Sequence, residues 1–454
     1  MRIADLSNLR VAIWGLGREG HAAHTALRQR LPDLALTIFC SEVEAHFMAT
    51  DHAGDRFVTS APTAGDLSAF DVVIKSPGIS SYRPELLEAR RNGARFTSAT
   101  ALWFAEHPNS RVIAVTGTKG KSTTSALIAH LLRGLGIRTA LAGNIGMPLL
   151  ELLDPAIEPQ WWVVELSSFQ TRDADHLELA VVTNIEEEHL DWHGNRDRYV
   201  EDKLSLTSSA RMLLVNGTQT ELVQRTAAHD HRLTYGMPAG WHIDAASILR
   251  GEQIVFDRSR MPLAGTHNAL NAAAALAAIE AIGENAIAAA EHLASFKALP
   301  HRLQKLGIRD GITWIDDSIA TTPQAVIEAL RSHRGGDICV IIGGHDRGLD
   351  WRPFVDHVRA HPPLAIIANG ANGQRIDTML RENRGDYQLH LVAKLADAIA
   401  AAREVTAPGD TILLSPGAPS FDQFHDYAER GRYFAELAGF DADAIGQIEG
   451  LGIA

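Results

Sequence analysis

The sequence predicts an α/β protein in three domains, and three observations carry that expectation. An apolar run at residues 9–14 leads into GLGREG, residues 15–20, and then into a helical pattern through Leu27, the strand, glycine turn and helix order of a Rossmann-like unit. A β-branched run at 111–115 leads into GTKGKST, residues 117–123, and a helix stopped by Gly134 and Gly136, the order of a P-loop, ATPase-type parallel sheet. Beyond residue 300, three apolar runs end in Asp317, in GGHDRGLD and in SPGAPS, so a second Rossmann-like domain closes the chain. The expected division is 1–101, 102–300 and 301–454.

Composition narrows the function. With 454 residues the chain is too long for one ordinary core. The formal net charge of −13 argues against nucleic acid and anionic membrane surfaces as partners. An anionic substrate must then be met by local positive groups and helix N-termini. No apolar run approaches spanning length, so no membrane insertion is expected, and MRIADLSNLR lacks a signal-peptide core. Cys40 and Cys339 each sit in an apolar, strand-like run; buried thiols in a reducing cytoplasm are expected.

In the first domain a second strand at 34–39 precedes Glu42, about where a ribose-binding acid sits. A dinucleotide is the usual ligand of such a turn. A UDP pyrophosphate suits Gly15, Leu16 and Gly17 equally, because the physics concerns two phosphates at a helix N-terminus. The strand at 71–75 ends in a tight turn at Ser76, Pro77 and Gly78, where ligands of open sheets collect.

The central domain holds the phosphate loop. Gly117 and Gly120 let the backbone turn so that successive N–H groups, those of Thr118 and Lys119 among them, aim at one anion. Lys121 adds a point charge, and Ser122 or Thr123 a hydroxyl for Mg²⁺. Val115 stands where the first glycine of the common pattern would be, yet the loop should hold the phosphates of a nucleotide triphosphate. Asn144, in GNIGMP, is placed to reach the substrate or the phosphate site. Glu165 ends the strand in WWVVELSSFQ and has the place and chemistry of a Mg²⁺ ligand.

The next strand, at 179–184, empties into an acid-rich turn with His189, Asp191 and His193. Two histidines four apart suggest zinc, but a third soft ligand is lacking, and Trp192 with Gly194 argues for a turn instead of a helix face. Lys203 lies on a helix that starts near Asn195, where exposure to solvent is the ordinary expectation. His267, Asn268 and Asn271 occupy the first turn of an alanine-rich helix and can contact a base or phosphate; capping alone would explain one asparagine. Pro300 bars helix continuation before Arg302. In the last domain Asp317 ends a strand, Thr321, Thr322 and Pro323 open a helix, and Arg347 and the loop 415–420 follow at the other strand ends. These loops converge on one edge and suit an amino-acid substrate.

The short loop GTKGKST resembles that of the Mur ligases and folylpolyglutamate synthases, and the other segments follow the Mur ligase family in order along nearly the whole chain. The resemblance implies a UDP-sugar-binding first domain, with Gly15, Leu16, Gly17, Ser76, Pro77, Gly78 and Asn144 on the UDP substrate. It implies His189 as a ligand of a second Mg²⁺ and Lys203, one turn after the segment's tyrosine, as a lysine carbamylated by CO₂. A lysine of lowered pKa is a neutral amine able to attack CO₂. Ser122, Glu165, His189 and the Lys203 carbamate would hold two Mg²⁺, with Lys121, His189 and Lys203 catalytic. Gly117 to Thr123, Asn268, Asn271, Arg302 and Asp317 would bind ATP, and Thr321, Arg347, Ser420, Phe421 and Tyr427 glutamate.

The branch most resembled joins glutamate to UDP-N-acetylmuramoyl-L-alanine, working as a monomer in peptidoglycan precursor synthesis. Members that take D-glutamate have lysine where this chain has Ile319 and Arg347. Together with SPGAPSFDQF and GGHDRGLDW, those departures look like the subgroup that adds L-glutamate and relies on a separate epimerase. The same reaction with D-glutamate is the alternative, and a folylpolyglutamate-synthase-like ligase is a further one. A nicotinamide-dependent dehydrogenase, judged on GxGxxG alone, has no use for the ATP loop. A non-catalytic scaffold would be marked by loss of Lys121, Glu165 or His189, and all three are present.

Overall fold

A computed structural model describes residues 1–48, 54–186, 190–263, 265–333, 337–445 and 451–454. The chain forms two compact units, one of Met1–Met261, Thr266–Phe296 and Gly450–Ala454, the other of Pro262–Gly265 and Lys297–Glu449. Among the described residues no helix is long and apolar enough to cross a membrane.

The first unit contains two parallel sheets. In the five-stranded one the order is Arg56–Val58, Leu36–Phe39, Val11–Trp14, Val72–Lys75 and Arg95–Thr97. Val11–Trp14 and Val72–Lys75 are buried throughout, as strands covered on both faces must be. Strand order reverses between them, so the crevice at their carboxyl ends is the switch point where ligands of open sheets bind. The helix Arg18–Arg30 leaves that crevice.

The larger sheet runs Arg232–Tyr235, Ala210–Asn216, Leu177–Val182, Val112–Thr116, Trp161–Glu165, Thr139–Gly143 and Gly452–Ile453. All its pairs are parallel except the last. Gly452–Ile453, near the end of the chain, thus pairs with Thr139–Gly143 and belongs to this sheet, not to the last domain where chain order alone puts it. Arg133 holds it by donating to the Gly452 carbonyl at 2.9 Å. The helix Ala99–Glu106, capped by Ser98 Oγ on the Ala101 N–H at 3.1 Å, spans the boundary expected at residue 101. Its Trp103 packs on Trp162 of the large sheet, ring centres 4.7 Å apart. A small antiparallel sheet, Trp241–Ile243, Ser247–Arg250 and Gln253–Asp257, completes the unit.

The second unit has one six-stranded sheet, in the order Gln304–Arg309, Ile312–Asp316, Thr411–Leu414, Ile338–Ile342, Ala365–Ala368 and Gln388–Leu391. Only its first pair is antiparallel. The helix Pro323–Ser332 starts as its sequence dictates, with proline at the first turn and Thr322 Oγ1 accepting from the Ala325 N–H at 3.3 Å. Cys339 is fully buried, which pushes its thiol up to about 12, whereas Cys40 is only half-buried, short of the expected burial. Cys40 lies just past the end of its strand and packs at the margin of the core.

Candidate active site

The strand Val112–Thr116 and the helix Lys121–Gly134 deliver the phosphate loop between them. Gly117 has φ +147°, and a Cβ there would lie 1.9 Å from Thr183 Oγ1. Gly120 has φ +80°, and a Cβ there would lie 2.5 Å from Asn271 Oδ1. Both positions therefore exclude a side chain by conformation and by space.

The loop differs from the sequence expectation in one respect. The N–H groups of Thr118 and Lys119 do not point at an anion; both donate to Asn184 Oδ1, at 3.1 and 2.7 Å. Asn184 Nδ2 donates in return to the Lys119 carbonyl at 2.9 Å, and Thr183 Oγ1 to the same carbonyl at 2.6 Å. The side chains after the neighbouring strand thus brace the turn. The N–H groups left without an intrahelical acceptor are those of the first helical turn, Lys121 to Thr123. Lys121 Nζ curls onto the Thr118 carbonyl at 3.0 Å.

Glu165 is paired in register with Val115, one strand across from the loop. It is 1% exposed. Oε1 accepts from Asn144 Nδ2 at 2.9 Å, while Oε2 is buried and has no hydrogen-bond partner among the described residues. A buried carboxylate oxygen without a donor is costly unless a cation answers it, so the donor set fits Mg²⁺. Asn144, expected on the UDP substrate, is exposed and holds this carboxylate through its amide.

Lys203 departs furthest from its ordinary expectation. It is 2% exposed, and Nζ donates to the Gly117 carbonyl at 2.8 Å. The helix Arg196–Leu204, capped by Asn195 Oδ1 on the Arg198 N–H at 2.9 Å, aims it there. Tyr199, one turn earlier, bonds Thr118 Oγ1 at 2.6 Å. His189 lies outside the described residues. Residues Leu190–His193 form one turn of helix, not the open turn expected, because Gly194, with φ +83°, ends it only after His193. His193 is no metal-ligand partner: Nδ1 meets Asp202 Oδ2 at 2.6 Å and Nε2 meets Ser168 Oγ at 3.0 Å.

The helix Thr266–Ala281 packs on the phosphate-loop helix and brings Asn271 against Gly120; Asn271 Nδ2 donates to Asn268 Oδ1 at 3.4 Å. His267 is exposed on the same first turn. At the other sheet, Ser76 Oγ donates to the Gly15 carbonyl at 2.8 Å, joining the GLGREG and SPGIS turns at the switch point. Glu42 is exposed on a helix of its own. Glu19, not singled out by sequence, lies at the start of the helix after Gly17; burial raises its carboxyl to about 7, Oε1 accepts from Gln170 Nε2 at 3.3 Å, and Oε2 is buried without a partner among the described residues.

In the second unit the three strand ends meet as expected. The Gly343 N–H donates to the Pro416 carbonyl at 2.7 Å and the His345 N–H to the Pro419 carbonyl at 2.8 Å. Arg430 Nη2 donates to the Ser318 and Ala418 carbonyls at 2.8 and 3.0 Å. Asp317 is buried; Oδ2 accepts from Ser415 Oγ at 2.8 Å and Oδ1 from the Leu303 N–H at 3.2 Å, yet burial still pushes its carboxyl up to about 7. Arg302 Nε and Ser420 Oγ are buried and lack partners among the described residues. Arg347 is exposed on the glycine turn, Phe421 is 67% exposed, Thr321 half-buried, and the Tyr427 ring faces His301 at 6.0 Å.

Sequence reasoning missed Asn184, Asp202 and the bracing role of Thr183. Each acts through a partner distant in sequence, and the only local signal is that Thr183 and Asn184 come straight after a strand.

A braced phosphate loop, a buried acid short of one partner and a buried lysine on the loop define a P-loop nucleotide-binding protein. Comparison with known proteins specifies it further. Residues 115–279 match the Mur ligase middle domain, and 301–417 the Mur ligase, glutamate ligase domain. The chain is 47% identical over 467 residues to the UDP-N-acetylmuramoyl-L-alanine--L-glutamate ligase of Xanthomonas axonopodis pv. citri (strain 306), covering 100% of both chains. A protein of the same name from Micromonospora sp. is 36% identical over 452 residues, covering 96% of this chain and 98% of the other. The chain belongs to the Mur ligase family and is an ATP-dependent acid–amino-acid ligase. Among solved structures, the UDP-N-acetylmuramate-alanine ligase MurC of Thermotoga maritima shares the fold at a TM-score of 0.64 and 19% identity, covering 95% of this chain and 99% of that one. The MurF ligase of Thermotoga maritima does so at 0.57 and 16%, covering 96% and 95%.

Proposed function

We propose that this ligase joins L-glutamate to UDP-N-acetylmuramoyl-L-alanine in cytoplasmic peptidoglycan precursor synthesis. A carboxylate at neutral pH resists attack by an amine, so it must first gain a leaving group. A carboxylate oxygen of the alanyl group attacks the γ-phosphorus and ADP departs. The glutamate amine, having lost a proton, then attacks the acyl carbon, and phosphate leaves with the original carboxylate oxygen. The observation that carries the reading is the buried Lys203 Nζ on the Gly117 carbonyl, together with the Glu165 oxygen, one strand across from the loop, that lacks a donor.

Lys121 is proposed to meet the charge that builds on the transferring phosphoryl group, and the helix N-terminus behind it to hold the phosphate still. Ser122, Glu165, His189 and a Lys203 carbamate are the proposed holders of two Mg²⁺, which when bound polarise phosphoryl oxygens. Burial of Lys203 suits carbamylation, since desolvation favours the neutral amine that reacts with CO₂. Asn268 and Asn271 are proposed on the adenine side, Arg302 and Asp317 as further ATP-binding residues, and the Gly15–Gly17 and Ser76–Gly78 turns on the UDP moiety. Asn144 is proposed on the UDP substrate as well, its amide also supporting Glu165. A folate substrate would leave the Gly15–Gly17 and Ser76–Gly78 turns without a use.

Thr321, Arg347, Ser420, Phe421 and Tyr427 are proposed to bind glutamate. Arg347 can grip a carboxylate by two parallel hydrogen bonds, which a lysine cannot, and Ile319 donates none. The curated relatives named for L-glutamate support this enantiomer, and an epimerase acting afterwards would invert the residue. The working unit is proposed to be a monomer. The test supplies each enantiomer with UDP-N-acetylmuramoyl-L-alanine and ATP and measures phosphate release. Preference for L-glutamate is expected; preference for the D form would overturn the assignment.

A further inference from the structure

The turn after the strand Val72–Lys75 is tied at three places to the segment that carries Lys203. Trp192 Nε1 donates to the Pro77 carbonyl at 3.0 Å, and Ser80 Oγ donates to the Trp192 carbonyl at 2.5 Å. The Tyr82 hydroxyl donates to Asp202 and lies 2.9 Å from each carboxylate oxygen. The Lys75 ammonium stands 5.7 Å from the Trp192 ring centre, and the Tyr82 ring meets Trp192 edge-on at 5.9 Å. On its other side the same turn is fixed to the glycine turn by Ser76 Oγ. Residues 76–82 therefore touch both the crevice proposed for the nucleotide sugar and the helix of Lys203.

Asp202 is the hub of these contacts. It is 1% exposed and, besides Tyr82, engages His193 Nδ1 at 2.6 Å and Arg172 Nε. His193 in turn presents Nε2 to Ser168 Oγ, three residues past Glu165. Serine, histidine and aspartate in a row invite comparison with a hydrolase triad. Ser168 and His193 are both buried, though, so no substrate reaches the serine and the row acts as a brace. Moving Asp202 would leave three donors without their acceptor. The carboxylate therefore pins its helix, and the next residue along is Lys203.

We propose that Asp202 is the positioning residue for Lys203, and that Tyr82 makes this position respond to occupancy of the nucleotide-sugar crevice. The proposal rests on the ligase reading above and adds a coupling between its two nucleotide sites. A ligand that stills residues 76–82 keeps Tyr82 on Asp202, and so keeps Lys203 against the phosphate loop. Such a coupling is reciprocal: each ligand tightens the other by one factor.

Calorimetric titration of UDP-N-acetylmuramoyl-L-alanine into the full-length protein, with and without Mg²⁺ and AMPPNP, measures that factor. Wild type is expected to show tightening of about fivefold or more. Tyr82→Phe keeps the ring and its packing and removes one donor. It should bind either ligand alone as wild type does, lose most of the tightening, and lose about tenfold in kcat through misplacement of Lys203. Asp202→Asn, of the same shape, should lose the tightening too and fall further in kcat. Wild-type tightening in both variants would overturn the proposal. So would weaker binding of the UDP compound alone with tightening intact, which would make Tyr82 an ordinary crevice contact. No tightening in the wild type overturns it as well, whereas binding without any turnover of glutamate would instead overturn the ligase reading.

Discussion

Gly120 and Asn271 should be coupled, and the structure sets how strongly. At φ +80° an alanine costs about 1–2 kcal/mol relative to glycine from backbone conformation alone. Its Cβ would also stand 2.5 Å from Asn271 Oδ1, and overpacking of this kind costs about 1–3 kcal/mol. Gly120→Ala is thus expected to destabilise the first unit by roughly 2–5 kcal/mol, the sum of the two. Asn271→Ala loses a long bond to Asn268 and little else that the structure shows, about 1 kcal/mol. Combining them removes the collision but not the conformational cost. The double variant should therefore be more stable than the sum of the singles by about 1–3 kcal/mol. Urea unfolding followed by fluorescence of the buried Trp103, Trp161 and Trp162 reads this. Simple additivity would refute the argument that the HNALN helix turn lies against the phosphate loop.

Lys121→Ala should lower turnover by orders of magnitude with an unchanged circular dichroism spectrum; near-normal rates would count against its place at the phosphoryl group. Asp317 carries a folded pKa of about 7 against an ordinary 3.8, raised by burial. Its contribution to stability is therefore full below pH 4, drains as pH rises toward 7 and is flat above. The stability difference between wild type and Asp317→Asn, followed by denaturant titration, should fall by on the order of 3 kcal/mol between pH 4 and 8, and parallel pH curves would contradict this. Glu19, also raised to about 7 by burial and by Glu151, with Arg18 opposing and Asp173 adding, ionises above neutrality beside the turn proposed for UDP pyrophosphate. The KM for the UDP substrate should rise above pH 7 in wild type and stay flatter in Glu19→Gln; equal profiles would remove Glu19 from that site.

The parallel sheets were legible because a buried β-branched run followed by glycine has few other uses. Val112–Thr116 with Gly117, and Val11–Trp14 with Gly15, show it directly. Helix starts at Asn195 and Thr322 were equally plain from their caps. What escaped was decided by partners far away in sequence. A helical lysine reads as solvent-exposed, and only the packing of its helix beneath the loop buries Lys203. Nothing near Thr118 announces that its N–H will be taken by a side chain 66 residues later. Two residues, Gly452–Ile453, are too short to read as a strand without the edge they complete. His193, whose spacing to His189 already argued only weakly for zinc, is claimed by Asp202 and Ser168.

The central claim is that the alanyl carboxylate becomes an acyl phosphate at this loop. Substrate labelled with ¹⁸O in that carboxylate, turned over with ATP and glutamate, tests it most directly. One ¹⁸O in the released inorganic phosphate is predicted for each fully labelled carboxylate converted. Inorganic phosphate free of label, with amide product formed, would contradict the account.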